Sequence, residues 1–142
     1  HSFPTRRSSD LSEMLVVTTP QIAAAEVAER TGRIAYQMKQ PVIGVIENMS
    51  DFPCPKCGEP ISLFGEGGGE ETANRLTKLI GEEVPLLGKI PFDPKLREGG
   101  DDSKPIVVSN SESNAAKAIS RVADKITARK KSLLGVRLGL ST

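Results

Sequence analysis

The two cysteines of this chain, Cys54 and Cys57, are separated by two residues and followed by Gly58. This spacing lets both sulfurs face one metal ion while backbone N–H groups point at them, and the glycine permits the left-handed conformation that completes the turn. A tetrahedral zinc ion or an iron–sulfur cluster usually takes four ligands. One chain therefore supplies half of a site, and a two-fold dimer would complete it with the same pair from each subunit.

Two other uses of a cysteine pair remain open at this point. A thioredoxin-type dithiol has the same spacing, but it begins a helix directly after a strand. Here Pro53 and Pro55 flank Cys54, and Gly58-Glu59-Pro60 follows, which disfavours a helix. The pair could also consist of inert loop thiols. Metal or cluster binding is favoured over both alternatives.

A buried strand leads into the cysteine segment. Residues Val42 to Ile46 are apolar enough to be buried on both faces, as parallel strands of α/β proteins are. Polar Glu47 and Asn48 follow at once. Because ligands of open α/β sheets bind beyond the carboxyl ends of the strands, we expect the cysteines and Asn48 to lie at a working edge.

The preceding residues predict a β-α-β unit with parallel strands. Met14 to Thr19 reads as a short buried strand, and Thr19 and Pro20 suit the N-cap and first position of a helix. Gly32 weakens this helix by about 1 kcal/mol relative to alanine, so packing must hold it. The predicted buried stripe consists of Ala24, Val27, Ala28, Thr31, Ile34, Ala35 and Met38.

The second half of the chain predicts two more helices and one more strand. A helix follows Gly67–Gly69, with acidic residues in its first turn and Gly81 as its C-cap. Residues 85–90 form a strand that ends in a Pro-Phe-Asp-Pro turn. We predict a polar turn at 98–104, an extended segment at 105–108, and a last helix with its N-cap among 109–111 and its end at 129–131.

The glycine-rich segment 65–69 could be mistaken for a phosphate loop. It lacks the Lys-Ser/Thr that follows a Walker-type loop, and Glu66, Glu70 and Glu71 would repel phosphate. A flexible hinge between the cysteine segment and its helix is the better interpretation.

Composition excludes several classes of function. The net charge of +1 gives no footprint for nucleic acid or a membrane surface. No apolar run approaches the roughly 20 residues of a membrane span, and no secretory signal is visible. Two cysteines this close together do not form a disulfide framework, so we expect a reducing, cytoplasmic location.

We therefore predict an α/β fold with a three-layer parallel sheet, and three regions. Residues 1–12, which include the single histidine His1, are an extension outside the domain, either disordered or the translation of a sequencing adapter. Residues 13–131 form the domain, and 132–142 a flexible tail. Three parallel strands are few for this architecture, which suggests part of a larger domain.

Five motifs, in order, resemble the Mrp/ApbC-type iron–sulfur cluster carrier proteins, which are deviant P-loop ATPases related to MinD. The resemblance covers roughly Met14 to Lys130. The motifs are VTTPQ at 17–21, GVIENMS at 44–50, CPKCG at 54–58, FGEGGGEETA at 64–73 and GKIPFDP at 88–94.

The resemblance implies both a cofactor set and a set of partners. Cys54 and Cys57 match the family's motif cysteines, which would bridge one [4Fe-4S] cluster between the subunits of a homodimer and pass it to apo-proteins. Asn48 matches an adenine-side residue whose amide pairs with the base, and Pro91, Phe92 and Asp93 match the loop along the base. ATP and Mg²⁺ are cofactors of the full-length family.

One departure from the family concerns its phosphate-binding loop, with its lysine and its Mg²⁺-binding Ser/Thr, which lies N-terminal to all of these motifs. Nothing in this sequence matches that loop. The sequence therefore corresponds to the C-terminal part of a P-loop NTPase domain. Because phosphoryl transfer depends on charge stabilisation by that lysine and Mg²⁺, we expect no ATP hydrolysis by this chain alone.

Overall fold

The computed structural model describes the backbone of residues 12–139 and the side chains of residues 12–130. The chain divides into two compact units, one ending at Phe92 and the other beginning at Asp93. The extension predicted for 1–12 lies almost wholly outside the described residues and stays a prediction. No helix in the described part of the chain is long and apolar enough to span a bilayer.

The first unit is built on a three-stranded parallel sheet, as predicted. Strands β1 (Met14–Thr18), β2 (Val42–Glu47) and β5 (Leu86–Lys89) lie in the order β1-β2-β5. All but the first residue of β2 are buried, which confirms the prediction from its continuous apolar run. In β1, by contrast, Val16 and Thr18 are buried whereas Val17 is 59% exposed.

Helices α1 (Ile22–Gln37) and α2 (Gly68–Ile80) pack against each other and the sheet. Their shared core includes Val16 and Val45 from the strands and Ala28 and Leu76 from the helices. Helix α2 ends where the sequence predicted, at left-handed Gly81, but it begins earlier. Gly68 and Gly69, predicted to belong to a flexible hinge, are buried residues of its first turn together with Glu70 and Glu71.

The start of α1 differs from the prediction. The helix begins at Ile22 after Gln21, and Thr19 and Pro20 lie outside it. The reason is a tertiary contact: the Pro20 carbonyl accepts a hydrogen bond from the Gly68 N–H at 2.8 Å, so this segment is used to hold the start of α2.

The predicted buried stripe of α1 was also wrong in part. The buried residues are Ala25, Ala28, Gly32 and Ala35, whereas Val27, Ile34 and Met38 are more than half exposed. A small-residue face lets α2 approach closely. A Cβ on Gly32 would overlap Cδ2 of Leu76 and lie 3.3 Å from its Cγ, so a larger residue would have to displace the Leu76 side chain.

The second unit corrects two predicted loops. Residues placed in a turn at 98–104 belong largely to α3 (Pro94–Asp101), which Asp93 caps by accepting from the Lys95 N–H at 2.9 Å. The segment predicted as extended is a single helical turn, α4 (Ile106–Ser109), because the Pro105 carbonyl accepts from two following N–H groups.

The last helix, α5, spans Asn114–Gly139. Its start is later than predicted, because Ser113 supplies the capping oxygen and accepts from the Ala116 N–H at 3.1 Å. The helix also extends beyond the predicted end at 129–131, so most of the segment 132–142 predicted as a tail has a helical backbone. Residues 140–142 lie outside the described part.

Candidate functional site

The cysteine pair lies at the tip of a small β-hairpin. Strands β3 (Phe52–Pro53) and β4 (Pro60–Ile61) pair antiparallel, and the cysteines lie between them. The Cys54 N–H donates to the Glu59 carbonyl at 2.9 Å, and the Gly58 N–H donates to the Cys54 carbonyl at 2.8 Å. Gly58 has φ of +77°, as the metal-knuckle interpretation predicted.

The environment of Cys54 favours its thiolate. The backbone N–H of Cys57, that of Lys56 and the Cys57 side chain hydrogen-bond to the Cys54 sulfur and hold the pKa of the Cys54 thiol below its usual value. Cys54 is half-buried, Cys57 is exposed, and both are free thiols. A lowered pKa favours the thiolate, which is the form of cysteine that can bind a metal.

The hairpin does not resemble the redox site of a dithiol oxidoreductase. In such enzymes the cysteine pair begins a helix, whose N-terminus lowers the thiol pKa. Here the pair lies in a hairpin turn, and the next helix, α2, begins only at Gly68. The turn is instead closed by the bond from the Gly58 N–H to the Cys54 carbonyl, with Gly58 in the left-handed conformation.

Three phenylalanines attach the hairpin to the sheet. Phe92 follows β5 and packs edge-to-face against Phe52 of β3, with ring centroids 5.7 Å apart. It also contacts Phe64, beyond β4, at 6.4 Å. The Phe92 N–H donates to the Asp51 carbonyl at 2.7 Å. The hairpin is therefore held to the end of β5 by both backbone and rings.

The structure brings Asn48 close to the segment after β5. The Ser50 N–H donates to the Ile90 carbonyl at 3.0 Å, and the Ile90 N–H donates to the Glu47 carbonyl at 2.8 Å. Asn48 is half-buried, and its Oδ1 accepts from the Met49 N–H at 2.9 Å. Asn48, Pro91 and Phe92 thus follow adjacent strands, whereas Asp93 opens the second unit and caps α3.

A polar cleft of about 480 Å³ lies between the hairpin, the start of α2 and the strand ends. Its charged lining is mostly acidic, with Glu47, Asp51, Glu66 and Glu70 beside Lys89. A 2.6 Å ion pair joins Lys89 to Glu70; it raises the pKa of Lys89 and lowers that of Glu70. The excess of negative charge in this cleft disfavours phosphate.

The described residues do not complete a metal site on one chain. Among residues 12–130, no group of three or more His, Cys, Asp or Glu side chains is placed to hold a metal ion. Cys54 and Cys57 are the two cysteines of this sequence, so this chain supplies two of the four thiolates of a four-thiolate site.

Sequence reasoning missed one residue of this region, Glu47. It was treated as a polar strand end, but its side chain is 2% exposed and accepts hydrogen bonds from Ser50 and Gly69. The available signal was a carboxylate directly after a wholly buried strand, where an exposed position is not expected.

Comparisons with known proteins agree with the motifs. Residues 5–127 match the ParA family described as NUBPL iron-transfer P-loop NTPase; this match begins within the segment 1–12 that we set aside. The chain is 52% identical over 129 residues to the iron–sulfur cluster carrier protein of Mycobacterium leprae, covering 91% of this chain and 33% of that protein. It is 41% identical over 129 residues to the carrier of Pyrococcus furiosus, covering 91% and 41%.

Solved structures of MinD share the fold. The cell division ATPase MinD of Pyrococcus furiosus aligns with a TM-score of 0.55 and 26% identity, covering 82% of this chain and 42% of that one. MinD of Pyrococcus horikoshii, complexed with Mg-ADP, aligns with a TM-score of 0.57 and 24% identity, covering 80% and 40%.

These comparisons also define the extent of the likeness. The chain spans about a third of the length of its mycobacterial relatives and about two fifths of the archaeal ones. Its fold is accordingly part of a MinD-like P-loop NTPase domain, with the three-stranded parallel sheet and its helices. On the family match over residues 5–127, the chain belongs to the NUBPL-type iron-transfer P-loop NTPases of the ParA family.

Proposed function

We propose that this chain carries a [4Fe-4S] cluster on Cys54 and Cys57, shared with the same pair of a second copy, and passes it to apo-proteins in the cytoplasm. The observation that carries the proposal is the hairpin turn itself. It presents two free thiols at its tip and directs backbone N–H groups at one sulfur. The names of the relatives support the same cargo.

The incomplete ligand set supports a homodimer. A [4Fe-4S] cluster takes four thiolates, and this chain has two. A two-fold axis through the cluster would bring the second pair without any other ligand. Cys57 is exposed, so a second copy can reach it, and cargo held at an exposed tip is accessible to a recipient.

The nucleotide role concerns the longer proteins of the family. We infer that Asn48, Pro91, Phe92 and Asp93 take the adenine of ATP there. The Asn48 Oδ1 is engaged by a backbone N–H, which leaves the NH₂ group as the donor to a ring nitrogen of the base. Phe92 packs against the hairpin, so the adenine loop and the cargo site share one side chain.

Anaerobic reconstitution with iron and sulfide tests the cargo site. We expect broad visible absorption from thiolate-ligated iron, at about one cluster for two chains. The Cys54→Ser/Cys57→Ser variant should lose this absorption. Lys56→Ala is the matched control, because it changes an exposed side chain between the cysteines and keeps the backbone N–H. Equal absorption from the double serine variant would refute the assignment.

The same hairpin geometry also suits zinc, which defines the competing function of a zinc-stabilised interaction domain. Metal analysis of protein purified without added metal separates the two. Zinc at one ion for about two chains, in a colourless protein that does not take up iron and sulfide, would favour the zinc domain.

A further inference from the structure

Among the described residues, Glu47 is the one charged side chain that is buried. It is 2% exposed, whereas the other carboxylates of the cleft are at least partly accessible to solvent. A buried carboxylate is unfavourable unless hydrogen bonds and a counter-charge offset the loss of water. The surroundings of Glu47 therefore have to explain why the fold keeps a charge there.

Two hydrogen bonds satisfy the carboxylate, and they come from opposite ends of one segment. Oε2 accepts from the Ser50 hydroxyl at 2.5 Å, and Oε1 accepts from the Gly69 N–H at 2.9 Å. Ser50 lies just after β2, before the chain enters the hairpin, and Gly69 lies just after the chain has returned to α2. We call residues 50–69 the excursion; it contains both cysteines.

The start of α2 depends on this carboxylate. The helix begins after Gly67, a residue in the left-handed conformation that has no side chain to cap the first turn. Glu47 supplies the missing oxygen from another element, and its negative charge faces the positive end of the helix dipole. The fit is close, since a Cβ on Gly69 would lie 2.9 Å from the Cβ of Glu47.

Lys89 supplies the counter-charge. It is the direct neighbour of Glu47 across the β2–β5 pair. The pKa of Lys89 is raised mainly by its hydrogen bond with Glu70, and the charge of Glu47 adds to the same effect. The carboxylate is thus stabilised by a hydroxyl, a backbone N–H and a nearby ammonium group.

We propose that Glu47 is a positioning residue that joins the two ends of the excursion and thereby fixes the cysteine hairpin at the edge of the sheet. One side chain closes the loop at its exit and at its return, so the hairpin projects from a fixed base. The consequence for retention of a cluster rests on the proposed function; the positioning itself does not.

Amide hydrogen exchange of the metal-free chain tests the positioning. The Cys54 N–H in the hairpin and the Phe92 N–H at its base make no bond to Glu47, so they report on the excursion. The Val45 N–H, bonded to the Pro85 carbonyl, reports on the sheet. In Glu47→Gln the amide can still accept from Gly69 and donate to the Ser50 hydroxyl, but both charge-assisted bonds become weaker neutral ones. Protection of the Cys54 and Phe92 amides should therefore fall about tenfold more than that of Val45.

The matched control is Glu70→Gln, which removes an equal charge from the same cleft without touching either end of the excursion. In this variant, the protection of the Cys54 and Phe92 amides should change less than about threefold. A fall of all three amides by one common factor in Glu47→Gln would show a merely structural residue and overturn the proposal. No change in any of them would overturn it equally.

Ser50→Ala is a second variant that tests the positioning role of Glu47 if Glu47→Gln does not fold. It removes the side-chain bond at the exit of the excursion, keeps the Ser50 N–H on the Ile90 carbonyl, and leaves the buried carboxylate bonded to Gly69. Protection of the Phe92 N–H should fall several-fold while that of Val45 stays the same. Unchanged protection of Phe92 in Ser50→Ala would contradict the proposal.

The rate of cluster loss provides a separate test of whether Glu47 affects the cargo site. After anaerobic reconstitution, cluster absorption should decay faster in Glu47→Gln than in Glu70→Gln. A wild-type chain that takes up no cluster would refute the proposed function but leave the exchange experiment intact, because that experiment needs no metal. Equal decay rates of the cluster absorption in the two variants would show that Glu47 does not contribute to cluster retention.

Discussion

The contact between Gly32 of α1 and Leu76 of α2 gives the sharpest prediction about packing. Leu76 is fully buried, and a methyl group on Gly32 would overlap its Cδ2 atom. Gly32→Ala gains about 1 kcal/mol of helix propensity but forces an overpacked core at about 1–3 kcal/mol. We expect a net loss of up to about 2 kcal/mol of unfolding free energy.

Removal of the leucine should reverse the sign of this effect. Leu76→Ala alone should cost about 2–5 kcal/mol through lost burial and the cavity that it leaves. In that background the Gly32→Ala methyl enters the cavity, and the helix propensity gain of about 1 kcal/mol is realised. The two substitutions should therefore show a coupling of about 1–3 kcal/mol.

Urea denaturation followed by far-UV circular dichroism measures the four stabilities of this cycle. Thr31→Ala is the matched control, because it changes the adjacent exposed position of α1 and should shift stability by less than about 0.5 kcal/mol. Additive effects of Gly32→Ala and Leu76→Ala, or stabilisation by Gly32→Ala in the wild-type background, would refute the small-residue packing of the two helices.

Three further outcomes follow from the site. In Cys57→Ser, the pH dependence of the alkylation rate should give a lower pKa for the Cys54 thiol in the folded chain than in urea, because the backbone N–H groups of residues 56 and 57 still hydrogen-bond to its sulfur. Identical pH profiles in the two states would contradict this. Glu70→Gln should cost less than about 1 kcal/mol at neutral pH, since Lys89 and Glu70 are half exposed. The hydrogen bond with Lys89 lowers the pKa of Glu70, so the stabilisation from this pair is present above the pKa of Glu70 in the unfolded chain and is lost as the pH falls through its pKa in the folded chain. A stability difference between Glu70→Gln and wild type that grows in acid would contradict this. Phe92→Leu should lower stability by about 1–2 kcal/mol through two lost ring contacts, measured by urea denaturation, and a wild-type midpoint would argue against the aromatic anchor.

Local patterns were sufficient to predict the sheet and α2. A short continuous apolar run such as β2 is typical of a strand buried on both faces. Helix α2 carries acidic residues in its first turn and Gly81 at its end, which are ordinary helix start and stop signals. The turn around Cys54 and Cys57 was predictable for the same reason, since the glycine at 58 and the spacing of the sulfurs define it locally.

The errors arose where tertiary contacts decide. The buried face of α1 consists of alanines and Gly32, which hydrophobicity alone ranks below Val27 and Ile34; only the close approach of α2 selects the small residues. Helix α3 was missed because Gly99 and Gly100 indicated a turn, whereas the Asp93 cap and Pro94 start a helix there.

Glu47 could not be assigned from sequence for a related reason. Its partners lie 3 and 22 residues away, and a carboxylate at the end of a strand is ordinarily a solvated turn residue. Its role becomes visible only when the return of the chain at Gly69 is placed beside the exit at Ser50.

Sedimentation of the anaerobically reconstituted chain, followed at the visible absorption of the cluster, tests the central claim most directly. We expect the cluster to sediment with a species of about twice the mass of the chain, while metal-free chain sediments as a smaller species. Cluster absorption on single chains, or in a dimer that forms equally well with Cys54→Ser/Cys57→Ser, would contradict a cargo site shared between two copies.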